Sequence, residues 1–509
     1  TSLGFQAYEM TGHEYKKMVN IEKLSSELLK DVCNYACWDV RYTLMSYYRQ
    51  QEIFRREKKL GEFYQFLHEG SKSLVNLRES GIKIDVGFLD KLEKDYQEEK
   101  ELRILEMRSL SGVIKYEEEH GSIFNPDSPT QLEKILYGVY KEEKYKRTAT
   151  QKGSTDEETL NVILEKTKDG EVRTLVNSLF RFRKCCSLTE RVANYKRLMD
   201  INGYVHPSFN LNIAETYRST ADNPSIQNVF EHDNELRVFR KCIIPSVERK
   251  LPIVPIFEVH DSITFDVVVD KVKEAVDVVS NVMRFRWFEW QRDVSMEVEW
   301  EIGWNWHEMY SLEIVGSEFW VKIEKDKKVK LEEFVYDGSG RTRILLEVDY
   351  SGTELAGIAM LSGDPELTRQ IREKVNIHRR WAAKIYRKLE EEVDKDTERY
   401  KAKNGFVFPS IYGSIAKSIV RTFPEVAAEH IIRVQQDFWE EYRYVKEWQN
   451  RNMDEYQKNG YVEAPNGWKR IGPLSINQLN NNINQGISFH ILLRSLIELD
   501  KVLPVSFPS

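Results

Sequence analysis

The sequence predicts an α+β protein of several compact units, and three observations carry that prediction. Residues 24–200 read mostly as long helices. Two apolar, β-branched runs, Phe257-Glu258-Val259-His260-Asp261 and Leu345-Leu346-Glu347-Val348-Asp349, read as buried strands that each end in an Asp. Residues 318–336 alternate apolar and charged side chains, as a half-buried strand does. At 509 residues there is ample chain for about three or four units.

In chain order, helices are expected over 24–52, 54–80, 87–110 and 156–198, the last opened by a capping box of Ser154 and Glu157. Residues 144–153 form a polar, basic loop ahead of it. Asp337-Gly338-Ser339-Gly340 has the chemistry of a turn. No apolar run is long enough to cross a bilayer, so neither membrane attachment nor a signal peptide is expected. Thr1 at the start predicts a fragment or a processed product.

The net charge of −7 disfavours nucleic acid as a partner when taken alone, because neutralising phosphates requires Lys and Arg. The average hides basic clusters at Lys144-Tyr145-Lys146-Arg147, Arg181-Phe182-Arg183-Lys184 and Arg379-Arg380. The five cysteines lack a paired framework, which predicts a reducing compartment. Cys33 and Cys37 lie one helical turn apart without a second pair to complete a zinc site, so buried thiols on a helix face are expected.

A carboxylate at the end of each of two adjacent strands is a setting for two hard divalent cations. Asp349-Tyr350-Ser351 with Glu354-Leu355 resembles the first metal motif of family A DNA polymerases, D-Y-S-x-x-E-L, and Val259-His260-Asp261 resembles that family's V-H-D motif. Further segments are similar to the same family. Thr216-Tyr217-Arg218 with Asn223 to Asn228 resembles T-G-R…P-N-L-Q-N, residues 399–412 resemble the fingers helix, and Asn376-Ile377-His378 is similar to D-I-H. Asn481 to Gly486 matches N-x-x-x-Q-G, and residues 296–306 resemble the family's C-terminal V-E-V-G-x-G-x-N-W. Tyr35 to Asp39 resembles the Y-x-x-x-D motif of a proofreading exonuclease, but its D-x-E partner is absent, so no exonuclease activity is expected.

The resemblance implies a right-hand polymerase. Residues 1–52 would end an exonuclease-like domain, 53–200 form the thumb, 201–362 the first part of the palm, 363–458 the fingers and 459–509 the second part of the palm. In the family, V-H-D follows the fingers; here it precedes the D-Y-S motif. The palm is therefore expected to be permuted, with block 251–314 moved upstream and 315–343 a connector crossing the palm's outside. The order of motifs becomes C, A, B, and Asp261 and Asp349 should still share adjacent strands.

The implied activity is template-directed addition of deoxynucleotides to a primer 3′ end. Asp349 and Asp261 would hold two Mg²⁺, with the Tyr350 carbonyl a third ligand; Ser262 stands where the family carries a further Glu. Arg399, Lys403, Phe408, Tyr412 and His378 would hold the incoming dNTP, and Glu354 would close off the sugar's 2′ position. The step from Lys403 to Phe408 is one residue longer than in the family, which predicts a π-bulge and leaves Asn404 as an alternative at the lysine position. Arg218, His260, Asn481 and Gln485 would lie along the primer-template minor groove and primer end, and Arg470 would touch template backbone. A cytoplasmic monomer is expected. The alternatives are a reverse transcriptase or RNA polymerase of the same fold, or a catalytically inactive DNA-binding paralogue.

Overall fold

A seven-stranded antiparallel sheet sets the Asp349 strand beside the strand that follows Asp261, whereas the run ending in V-H-D, expected to be adjacent, lies one strand further out because the tight turn at 260–261 folds Ser262–Val268 back between them. In the computed structural model its order is Lys327–Lys330, Glu318–Glu324, Met309–Val315, Glu297–Gly303, Arg343–Ser351, Ser262–Val268 and Ile253–Val259. The structure describes residues 2–503 apart from 18, 149, 150, 152, 230–232, 234, 235 and 295. Parts of the expected basic loop 144–153, and residues 504–509, therefore lie outside the described residues.

Alternation along the three central strands decides which face holds the chemistry. Ile344, Leu346 and Val348, with Ile263, Phe265, Val267, Val298, Trp300 and Ile302, enter the core beneath the helix Val272–Met283. The intervening residues, among them Glu347, Asp349, Glu299 and Glu301, take the opposite face. A slip of one residue would reverse both sets, so the buried apolar rows fix the register.

The segment 315–343, expected to be a connector crossing the palm's outside, builds the sheet's edge over most of its length. Residues 318–324 and 327–330 are strands, and Leu331–Val335 is a short helix. The alternating pattern explains this, because Phe319 and Val321 bury one face while charged neighbours take the other. Asp337 then accepts from the Ser339 amide at 2.9 Å in the expected turn, where Gly338 adopts φ +82°.

The helices run Leu29–Arg56, Lys58–Ser80, Val86–Arg108, Glu157–Lys166 and Gly170–Leu198. The expected single helix over 156–198 is divided because Thr167 is extended and Asp169 caps a new start, accepting from the Glu171 and Val172 amides. The Ser154 and Glu157 capping box is also absent. Asp156 is the cap, accepting from Thr159 at 2.9 Å, since it stands three residues before that free amide. Val86–Arg108 and Gly170–Leu198 pack antiparallel, stitched by Arg181 to Glu99 and Lys196 to Glu93. The last helix, Ile476–Val502, is buried on most sides and packs on Lys58–Ser80, Val272–Met283 and Thr353–Ser362.

Candidate active site

Backbone register brings the two Asp residues together. Asp349 stands opposite Ser262 on one side and Glu299 on the other. Val259 pairs with Ser262, so His260 and Asp261 form the two-residue turn of the hairpin, with His260 at φ +57°. The Tyr350 amide donates to the Asp261 carbonyl at 3.3 Å, which ties that turn to the neighbouring strand. Motif C and motif A therefore meet although 88 residues separate Asp261 from Asp349 in the chain.

The electrostatics of this cleft are those of a site that lacks positive charge. Asp349 keeps a solvent-exposed edge, but the cleft walls strip water from its carboxyl and push it up to about 7, with Asp261, Glu347 and Glu299 adding repulsion. Arg218 is the nearest cation recorded against them, with Nη2 4.0 Å from Asp261 Oδ1. Glu347 is turned aside by Trp306 Nε1 at 2.9 Å and Thr264 at 3.2 Å, and Glu299 accepts from Ser351 at 2.7 Å. Sequence reasoning missed Glu299 and Glu347, although the period of two already placed Glu347 on the face of Asp349. No cluster of three or more His, Cys, Asp or Glu side chains at ligand spacing exists among the described residues. Two carboxylates completed by water and phosphate oxygens fit Mg²⁺, which keeps much of its water shell.

Residues 399–412, expected to be a fingers helix, carry the predicted departure from α geometry: residues 395–399 and 403–407 are π-helical. The second of these turns absorbs the extra residue between Lys403 and Phe408. Lys403 Nζ lies 5.6 Å from the Phe408 ring centroid, Phe408 and Tyr412 stack at 6.0 Å, and His378 meets Phe408 edge-on at 5.2 Å. Asn404 is exposed, whereas Lys403 is close enough to influence both Glu354 and His378. Burial pushes His378 down to about 3, with Lys403 and Arg399 reinforcing the shift, so its imidazole is neutral with one N–H to donate. Asn376 caps the helix Ile377–Tyr386 and accepts from Arg399 Nε at 3.3 Å.

Glu354 opens the helix Thr353–Ser362, and its carboxyl lies close enough to Tyr412 for each group to shift the other. Burial pushes both groups up, and Lys403 offsets part of the shift on Glu354. Asn484, which sequence reasoning passed over, donates to the Glu354 carbonyl at 3.0 Å and to the Tyr412 hydroxyl at 3.1 Å. A second missed group is Glu258. It is fully buried and bonded to Ser219 and to Gln227 Nε2 at 2.8 Å, which fastens the segment of Arg218 to the V-H-D hairpin. Its carboxyl is pushed up to about 7 by burial.

On the expected DNA side, Tyr217 stands edge-on to Trp468 at 6.0 Å. A Cβ on Gly486 would lie 3.0 Å from the Thr216 carbonyl and closer still to the Trp468 ring, so only glycine allows this approach. Asn481 and Gln485, both half-buried, are one turn apart on the same helix. Arg470 is bonded to Glu215 and to the Ile471 carbonyl.

Most of the expected basic clusters are paired internally. Lys144 binds Glu133, Lys146 binds Asp156 and Glu158, Arg181 binds Glu99, Lys184 binds Asp233 and Arg380 binds Glu441. An acidic chain supplies these partners, so local Lys and Arg density overstated the free positive surface. Asp39 is held by Lys16 at 2.6 Å and Tyr15 at 2.7 Å. Cys33 and Cys37 are exposed free thiols, contrary to the expectation of burial, because the helix turns Tyr42 and Ser46 inward instead.

The chain matches the model of DNA polymerase family A over residues 94–254 and 321–488. It is 25% identical over 249 residues to DNA polymerase I of Synechocystis, covering 48% of this chain and 23% of that protein. Over 129 residues it is 30% identical to the thermostable DNA polymerase I of Thermus thermophilus, covering 25% of this chain and 15% of the relative. In these two alignments the matched region thus spans less than a quarter of the relative's length. Among solved structures, the POL domain of Pol1 from M. smegmatis, in complex with DNA primer-template and dNTP, superposes with a TM-score of 0.53. That match has 15% identity and covers 98% of this chain and 68% of that one.

Proposed function

We propose, from the premise that this chain belongs to DNA polymerase family A, that it is a template-directed DNA polymerase that adds deoxynucleotides to a primer 3′ end. The observation that carries the reading is that the hairpin turn of Asp261 is tied to the strand of Asp349, in a cleft where Lys403 and Asp261 both lie close enough to act on Glu354. Asp349, Asp261 and the Tyr350 carbonyl would hold two Mg²⁺, which when bound lower the pKa of the primer hydroxyl and neutralise the departing pyrophosphate.

The chain's own residues supply the rest. Lys403, Arg399 and the His378 N–H bind the triphosphate; Phe408 and Tyr412 offer stacked faces to the incoming base; Glu354 fills the space of a 2′ hydroxyl. Arg218, His260, Asn481 and Gln485 face the primer-template, and Arg470 acts on template backbone once released from Glu215. The domain division is proposed as the sequence implies it, with 1–52 a remnant of an exonuclease-like domain. No helix among the described residues is long and apolar enough to cross a membrane.

A permuted palm is part of the proposal. Three observations support it: the family match stops at 254 and resumes at 321, just where the V-H-D block intervenes; the strand that follows V-H-D, Ser262–Val268, pairs with the D-Y-S strand regardless of order; and the two ends joined in the ordinary order meet one helix. Asp500 accepts from Asn76 at 3.0 Å, and Arg249 donates to the Ser80 carbonyl, one turn further on, at 2.8 Å.

Primer extension with Mg²⁺, on DNA and RNA templates and with dNTPs or NTPs, tests the reading. Extension on DNA with dNTPs is the expected result. Absence of extension under every combination would favour the inactive paralogue. Glu354→Ala should raise the kcat/KM ratio of ribonucleotide to deoxyribonucleotide by at least about tenfold, since steric exclusion at one position is worth that much. An unchanged ratio would remove Glu354 from sugar selection.

The raised Asp349 carboxyl sets a pH dependence. Its folded value of about 7 lies above the ordinary carboxylate range, so the folded state keeps this proton longer than the unfolded state. Without metal, this group's contribution to stability declines as pH rises from about 4 towards 7. Metal must displace the same proton, so Mg²⁺ affinity rises over that interval and is about tenfold higher at pH 8 than at pH 6. Calorimetric Mg²⁺ titration at both values checks this; equal affinities would contradict it.

A further inference from the structure

We propose that Asn484 is a positioning residue for sugar discrimination, acting through Tyr412 on Glu354; the inference rests on the polymerase reading above. Asn484 is completely buried on the helix Ile476–Val502, where a buried amide needs partners that justify its desolvation. Both hydrogens of its Nδ2 are committed, one to the Glu354 carbonyl at 3.0 Å and one to the Tyr412 hydroxyl at 3.1 Å. The first of these fixes the orientation of the amide, because a main-chain carbonyl can only accept.

The consequence is a hydrogen-bond chain with one direction. Tyr412 has a single proton to donate. Since its oxygen already accepts from Asn484, that proton is left to turn towards the Glu354 carboxyl, which lies close enough to Tyr412 for each group to shift the other. Asn484 thus holds the backbone of Glu354 and, through Tyr412, its carboxylate. The two contacts join three elements, namely the last helix, the helix Thr353–Ser362 and the end of the fingers helix at Tyr412. Asn480 adds a contact to the Tyr412 carbonyl at 3.5 Å and is itself held by Asn452 at 2.9 Å.

The other end of the amide makes the inference testable without touching Tyr412 or Glu354. Asn484 Oδ1 is buried with no hydrogen-bond partner among the described residues, and it sits 2.2 Å from where a Cβ on Gly357 would stand. Gly357 has an ordinary helical backbone, so Gly357→Ala keeps its helix while its methyl group displaces the Asn484 amide. Asn484→Leu removes both donors and the orphaned acceptor together, in a similar volume.

The experiment is single-turnover insertion of a ribonucleotide and of the matching deoxyribonucleotide by wild type, Asn484→Leu, Gly357→Ala, Glu354→Ala and the Glu354→Ala/Asn484→Leu double variant. Both Asn484→Leu and Gly357→Ala should shift the discrimination ratio by about five- to tenfold towards the ribonucleotide, the scale of one lost hydrogen bond. Asn484→Leu should add nothing once Glu354 is Ala. A shifted ratio for Glu354→Ala with an unchanged one for both Asn484→Leu and Gly357→Ala overturns the role of Asn484 alone. So does an Asn484→Leu effect that persists in full in the double variant. Unchanged ratios throughout overturn the sugar filter and the role of Asn484 with it. No insertion by wild type overturns the polymerase reading itself. If Asn484→Leu does not fold, Gly357→Ala and its double variant with Glu354→Ala decide by the same comparison.

Discussion

Asp349→Ala and Asp261→Ala each lower primer extension by more than about a thousandfold, roughly 4 kcal/mol of barrier, while primer-template binding stays within a few-fold of wild type. The separation follows from where the groups sit. Asp349 has an exposed edge near the end of its strand and Asp261 lies in the hairpin turn, partly exposed, so truncation of either removes no core contact. In the proposed mechanism they hold the cations that offset charge developing in phosphoryl transfer, and DNA affinity rests on other side chains. Asp349→Ala also relieves repulsion from Asp261, Glu347 and Glu299, so the metal-free protein should be no less stable. Extension within tenfold of wild type by either variant would remove the pair from catalysis. A parallel loss of DNA binding would mean the cleft itself had been disturbed.

Asp266→Ala acts on the fold, with an expected loss of about 3–5 kcal/mol, the cost of leaving buried charge unpaired. Asp266 is 1% exposed and accepts from Arg343 Nε and Arg249 Nε, each at 2.7 Å, and from the Ser246 amide at 2.8 Å. Arg343 also donates to the Leu251 carbonyl at 3.0 Å, and Arg249 to the carbonyls of Ser80 and Gly81. One carboxylate therefore fastens the start of the D-Y-S strand, the strand that follows V-H-D, the segment leading into that hairpin and the end of a long helix. Replacing Asp266, Arg343 and Arg249 together by apolar residues of similar volume should recover most of the loss, since no unpaired charge then remains buried. Denaturant titration of the single and triple variants checks both statements. A loss below about 1 kcal/mol for Asp266→Ala would show that the arginines regain solvent.

Much of this arrangement is legible in the sequence. Long helices in 54–110 follow from their periodicity, and the π turn at 403–407 follows from one extra residue between Lys403 and Phe408. The alternation in 318–336 marked strands, yet family order suggested a connector; the local pattern decided the structure because a chain with one apolar face must bury it. The capping box at Ser154 failed because two candidate caps stood two residues apart, and only the fold chose Asp156. The basic clusters misled for a related reason. Lys and Arg can be counted in a sequence, but whether Glu99, Glu133 or Glu441 lies across from them cannot.

The sequence by itself determined the candidate residues for the proposed chemistry and the order in which they occur: Asp261 before Asp349, then residues 399–412, then Asn481 and Gln485. It also determined which strand faces are apolar, because side chains alternate with a fixed period. Tertiary structure alone decided that Asp349 lies between Ser262 and Glu299, that Glu258 braces Arg218's segment, and that Asn484 reaches both Glu354 and Tyr412. These are contacts between segments far apart in the chain. They are set by sheet register and helix packing, which depend on how all the apolar faces are buried together and leave no mark at a fixed spacing in the sequence.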